Sequence, residues 1–119
     1  MLRLLLLLAV LGGSSHVVAS GNAELEINYL LDFVAESGCV FVRNGSEHSA
    51  ADAADHLRMK YQRGRRYADT AEAFIDRLAS ESSWTGEVYT VRCGDTRQTS
   101  GQWLHNALAA YRATESPAP

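Results

Sequence analysis

Ser82, Ser83 and His48 are the residue types of acyl transfer: a hydroxyl nucleophile and an imidazole base. Little else in the chain supplies what covalent catalysis needs. There is no Gly-x-Ser-x-Gly elbow and no Ser-x-x-Lys, and only Glu47 and Glu72 offer a carboxylate to orient the imidazole. No pair of carboxylates is set apart by a spacing that suits glycoside cleavage. His48 and His56 lie eight residues apart. Even on one continuous helix that spacing separates them by about 12 Å of rise, too far for shared ligation at zinc's ~2 Å bonds. No metal site and no cofactor is therefore expected. Asp52 and His56, four apart, read as a pair on a helix surface, and Lys60 one turn further continues the same solvated stripe.

A binding site is better supported by residue type. Arg43, Asn44 and His48 form one polar run, and Ser82, Ser83 and Thr85 form another. Each member also has a plain structural role. Asn44-Gly45 is a common turn pair, Ser82, Ser83 and Thr85 can bond their own backbone at a helix end, and Arg43 can pair with Glu47 or Glu87. Asn44-Gly45-Ser46 matches a glycosylation acceptor, which matters only in a eukaryotic secretory route. Trp84 and Trp103 could stack on sugars, but the helical setting of Trp103 beside Leu104 favours the core.

Export is written at the N-terminus. Residues 1–19 read as a signal peptide, with Arg3, then LLLLLAVL, then SSHVVAS. An apolar run of about eight residues is too short to span a bilayer, which takes ~20. The expected organisation is a single small domain over residues 20–115 and a disordered tail over 116–119. Without Arg3 the chain carries ten basic against fourteen acidic residues, a balance that argues against nucleic-acid binding. Only Arg58, Lys60, Arg63, Arg65 and Arg66 form a basic cluster, which reads as a solvated helix end.

Cys39 and Cys93 are the only cysteines, and an oxidising compartment favours a disulfide between them. CVFVR (39–43) and EVYTVRC (87–93) are the two best strand candidates. Paired antiparallel with Cys39 opposite Cys93, they set Phe41 against Val91 and Arg43 against Tyr89. Four amphipathic helices surround them. The first runs over about 23–37, and the second is capped by Ser49 and ended by Gly64. The third opens with Asp69-x-x-Glu72, and the fourth with Thr99-x-x-Gln102. The expected fold is α+β, in the order α-β-α-α-β-α, with a two-stranded antiparallel ribbon packed on four helices and no internal repeat.

The ordered series FVRNGSEH, HLRMKY, TAEAFIDRLASESSWTG, YTVRCG and a late WL resembles the YfeK-like family of small exported bacterial proteins, a domain of unknown function. The resemblance spans about residues 27–112 and implies a periplasmic or secreted location, one compact domain and no particular activity. Antiparallel pairing of the two strands brings the loops at 43–48 and 82–86 to one edge, opposite the disulfide. The expected function is a non-catalytic binding or interaction module of the cell envelope. Its partner would be an envelope protein, a glycan or a small ligand, at a site of Arg43, Asn44, His48, Ser82, Ser83 and Thr85. The competing expectation is a small hydrolase or transferase using His48 with Ser82 or Ser83.

Overall fold

Val40, Phe41 and Val42 favour an extended backbone, and so do Thr90 and Val91. In the computed structural model, which describes residues 19–115, these segments are β1 (Val40–Arg43) and β3 (Thr90–Cys93). They pair antiparallel, with Val40 opposite Arg92, Phe41 opposite Val91 and Val42 opposite Thr90. Continued outward, that register sets Cys39 against Cys93, and the two are joined in a disulfide with their Cα atoms 4.6 Å apart. Phe41 and Val91 face inward and are buried at the centre of the ladder.

The sheet has four strands in the order β2-β1-β3-β4, which corrects the expected two-stranded ribbon. Each central strand folds back as a hairpin: β1 pairs with β2 (Ser46–His48), and β3 with β4 (Thr96–Thr99). The turns provide the reason. Asn44 and Gly45 both take positive φ, 50° and 81°, the backbone that a tight two-residue hairpin loop requires. Gly94 at φ 60° opens the second turn. Strands of three and four polar residues carry no alternation of apolar side chains, so only their turns announce them.

Helices cover one face of the sheet: α1 (Ala19–Glu36), α2 (Ala50–Arg63), α3 (Ala71–Leu78) and α4 (Ser100–Glu115). Ser49 Oγ accepts from the Asp52 backbone N–H, and Gly64 ends α2 by donating to the Lys60 carbonyl. The α2 stripe Ala50, Ala53, Ala54, Leu57 and Tyr61 is buried, as its helical period requires. Thr99 Oγ1 accepts from the Gln102 N–H at the start of α4. The cap of α3 is Thr70, one residue later than expected, because its hydroxyl reaches the Ala73 N–H. Ile27, Leu30, Leu31, Phe74, Ile75, Leu104 and Leu108 complete the core between helices and sheet. On the surface, Arg112 spans two carboxylates, holding Glu26 of α1 and Glu72 of α3 at 2.7–3.2 Å.

The chain is a duplication at the level of structure, a second correction. Each half runs helix, hairpin, helix, and burial from Phe41 to Ala50 recurs residue by residue from Val91 to Ser100. The helix caps Ser49 and Thr99 occupy matching places fifty residues apart. The one string the halves share, Val-Arg-x-Gly at 42–45 and 91–94, is displaced by a residue from this structural match and so obscures it.

Closing a loop across 54 residues restricts the unfolded chain. On the chain-entropy account, replacing Cys39 and Cys93 with serine is expected to cost about 4 kcal/mol. Equilibrium urea unfolding of the oxidised protein and the double variant measures that difference.

Candidate functional site

The two halves differ in how each first helix reaches its strand. Between α1 and β1 lie three residues, 37–39; between α3 and β3 lie eleven, 79–89. The longer connection is a closed loop. The Ser82 N–H donates to the Glu87 carbonyl, the Gly86 N–H to the Ser82 carbonyl and the Tyr89 N–H to the Ser80 carbonyl. Ser82 Oγ accepts from the N–H groups of Trp84 and Thr85, both at 3.2 Å, a local bonding pattern typical of serine. The loop is thus rigid through its own backbone, and its tip presents Trp84 to solvent at 95 % exposure.

This loop meets the Asn44–Gly45 turn. Asn44 Nδ2 donates to Ser82 Oγ at 3.4 Å, and Thr85 Oγ1 donates to Asn44 Oδ1 at 2.8 Å. Asn44, Ser82 and Thr85 therefore come together from opposite ends of the sequence, at the edge away from the disulfide. Beside them runs a groove of about 980 Å³ between α2, the end of α3 and the loop. Arg43, Asn44, Ser82, Ser83 and Thr85 line it. His48 does not. It stands on β2 opposite Phe41 and faces a separate cleft, shared with Arg43, His56 and Tyr89.

The floor of the groove holds residues that sequence reasoning placed elsewhere. Tyr89 is buried at 3 % exposure. Lys60 Nζ donates to its hydroxyl at 3.1 Å and to the Glu81 carbonyl at 3.0 Å. His56 Nε2 lies 3.4 Å from the same hydroxyl. An ammonium can only donate, so Tyr89 accepts from Lys60 and its one proton turns to His56 Nε2, which must then be unprotonated. Lys60 is therefore half-buried in a polar network rather than on a solvated stripe, and His56 bonds Tyr89 rather than Asp52. Glu47, an expected partner of Arg43, pairs instead with Arg92 at 3.0 Å across the sheet. His48 and His56 are brought to one cleft because β2 folds back, which a continuous helix would not allow. Among the described residues no group of three or more His, Cys, Asp or Glu is placed to hold a metal ion.

Electrostatics follow from this crowding of cations. Desolvation is the main force that lowers the His56 pKa to about 4, with Arg43, Lys60 and His48 adding repulsion. Lys60 falls to about 8, again chiefly by burial, with Arg43 next and Glu81 opposing. Burial pushes the Tyr89 hydroxyl up. The Arg43 side chain forms no hydrogen bond or ion pair with any described residue, while its backbone stands in the β1–β2 ladder opposite Ser46.

The nucleophile reading fares poorly on this geometry. Ser82 Oγ is engaged by two backbone N–H groups and the Asn44 amide, and no imidazole lies among its partners. Ser83 is exposed on the groove wall. The residues missed were His56, Lys60 and Tyr89. One signal for them existed: His56 and Lys60 stand four apart on α2, and the strand register sets Tyr89 against Arg43.

Two outcomes are expected. Ser82→Ala leaves the Trp84 and Thr85 N–H groups without their acceptor and should cost about 1–3 kcal/mol in denaturant unfolding. His56 has a folded pKa below its unfolded value of 6.5, so the unfolded chain binds the proton more tightly. Stability contributed by neutral His56 is therefore present above pH 6.5 and lost as pH falls toward 4. Thermal melts of the wild type and His56→Gln across that window should show a fall that the variant flattens.

A family model described as a family of unknown function (DUF5329) matches residues 21–112. The chain is similar to the uncharacterized protein YfeK of Salmonella typhimurium, at 44 % identity over 71 residues, which is 59 % of each chain. The chain thus spans about three fifths of the length of the curated relative it matches. No solved structure matches it. The matched region runs from within α1 almost to the end of α4 and so takes in both hairpins and the groove between them, which makes the chain a member of the DUF5329 family.

Proposed function

We propose that this chain is an exported, non-catalytic binding module of the bacterial cell envelope whose site is the groove between the Asn44–Gly45 turn and the loop 82–86. The observation that carries the reading is the join of two distant loops through Asn44, Ser82 and Thr85 beside a groove of about 980 Å³. That volume falls at the upper end of the range for small-ligand sites. Both walls are held by backbone hydrogen bonds, so the groove is formed before a ligand arrives, which reduces the ordering cost of binding. Trp84, fully in solvent at the rim, is a rigid aromatic with no packing role.

Export is supported by the leader-like residues 1–19, which lie almost wholly outside the described residues, and by the disulfide. No described helix is long and apolar enough to cross a membrane. The hydrolase or transferase reading with His48 and Ser82 or Ser83 ranks second, because Ser82 Oγ is engaged by two backbone N–H groups and the Asn44 amide and by no imidazole.

The test compares retention of envelope material on immobilised wild-type protein, on Arg43→Ala/Trp84→Ala and on His48→Ala. The groove reading expects the double variant to lose at least tenfold of the retained material at unchanged melting temperature, while His48→Ala keeps it. Equal retention by the double variant would remove the groove from the function. A serine-reactive probe should leave Ser82 and Ser83 unlabelled under conditions where a control hydrolase reacts.

A further inference from the structure

The cations on the floor of the groove lack a countercharge. Ion pairs among the described residues engage Arg58, Arg65, Arg92 and Arg112, each against a carboxylate within 4 Å. Arg43 and Lys60 form none, and neither do Arg63 and Arg77, which also line the groove. Arg43 presents a whole guanidinium fork with no protein acceptor, and one of the three N–H donors of Lys60 is left after the Glu81 carbonyl and the Tyr89 hydroxyl. Glu81, the carboxylate closest in effect, acts on Lys60 less strongly than Arg43 does. Asp76, also on the groove, is engaged by His105 at 2.8 Å. Like charges held together in a half-buried site raise the energy of the empty groove, and an anion removes that cost.

The groove also has apolar and aromatic lining. Met59, Leu78, Tyr67 and Trp84 contribute to it, interspersed with Arg63 and Arg77, the latter donating to the Tyr67 carbonyl at 3.5 Å. Gly64 lies against Leu78 so closely that an added Cβ would sit 3.1 Å from its methyl group, which keeps the wall smooth at that point.

We propose that the groove binds a small amphipathic ligand whose oxyanion head, a carboxylate or a phosphate, sits against Arg43 and Lys60 and whose apolar body lies along Met59, Leu78, Tyr67 and Trp84. Arg43 supplies the bidentate fork that matches an oxyanion, and Lys60 supplies a point charge already oriented by Tyr89. The Asn44 amide and the rigid loop 82–86 close the head end. This inference rests on the groove being the binding site, and names what occupies it.

The test is a titration of the 15N-labelled oxidised protein with four probes, followed by backbone amide shifts: 3-phenylpropanoate, its neutral amide, phenyl phosphate and inorganic phosphate. The acid is expected to move the amides of residues 43–45 and 82–85, with the neutral amide at least tenfold weaker. Arg43→Gln and Lys60→Met should each weaken the acid at least tenfold and leave the neutral amide unchanged, with melting curves confirming that both variants fold. Tighter binding of phenyl phosphate than of the carboxylate assigns a phosphate head, and the reverse order assigns a carboxylate. Inorganic phosphate binding as tightly as phenyl phosphate would overturn the apolar half of the proposal. Equal binding of acid and neutral amide, or shifts confined to another face, would overturn the whole. Retention of envelope material that depends on Trp84 but not on Arg43 or Lys60 would sink the oxyanion head and leave the binding module standing.

Discussion

The antiparallel pairing of β1 with β3 is the contact on which the remaining architecture depends. It joins the halves of the chain, places Phe41 against Val91 in the core and, at one end, brings Cys39 and Cys93 within bonding distance. A two-stranded ribbon in water is marginal by itself. Here each central strand also carries a hairpin partner on its outer side, and the helices cover one face of the resulting four-stranded sheet. The disulfide acts on the unfolded chain, whereas the ladder and the buried aromatics act on the folded one. Both are needed in a domain of this size, whose single core supplies only a modest margin of stability.

Duplication explains where the groove is. Under the fifty-residue match of the halves, the cross-strand pair Cys39 and Cys93 at one end of the central ladder corresponds to Tyr89 and Arg43 at the other. One end is closed covalently by a short connection. The opposite end is held apart by the eleven-residue loop 79–89, so its pair of polar residues faces a groove instead of a partner sulfur. The asymmetry is local: the caps, turns and buried positions of the hairpins keep step on both sides. One connection of the repeated scaffold is longer than its counterpart and borders the groove.

Charge is distributed in the same divided manner. Away from the groove, Arg58, Arg65 and Arg92 are each tied to a carboxylate, and Arg112 gathers α1, α3 and α4 through Glu26 and Glu72. At the groove, Lys60 and the neutral His56 meet at one buried tyrosine hydroxyl, and Arg43 stands across the strand pair from that tyrosine. The first arrangement stabilises the fold by a modest amount, as surface pairs do. The second works against stability and persists because the surrounding helices and loop hold it.

What the sequence determined alone was whatever depends on local or strongly patterned signals. The helical stripes, such as Ala50, Ala53, Ala54, Leu57 and Tyr61, were readable because burial must follow the helical period. The strand register was readable because the chain has two cysteines, each with one possible partner. The meeting of Asn44 with Ser82 and Thr85 then followed from that register. The edge strands β2 and β4 were not readable from apolar pattern, since Ser46–His48 and Thr96–Thr99 bury almost nothing; only Asn44-Gly45 and Gly94 pointed to them. Tertiary structure alone decided that Glu47 pairs with Arg92, that His48 turns from the serines, and that Lys60 and His56 converge on Tyr89. Those partners lie between 29 and 45 residues apart in the chain. Nothing in the residue types ranks one distant partner above another until packing has set the distances.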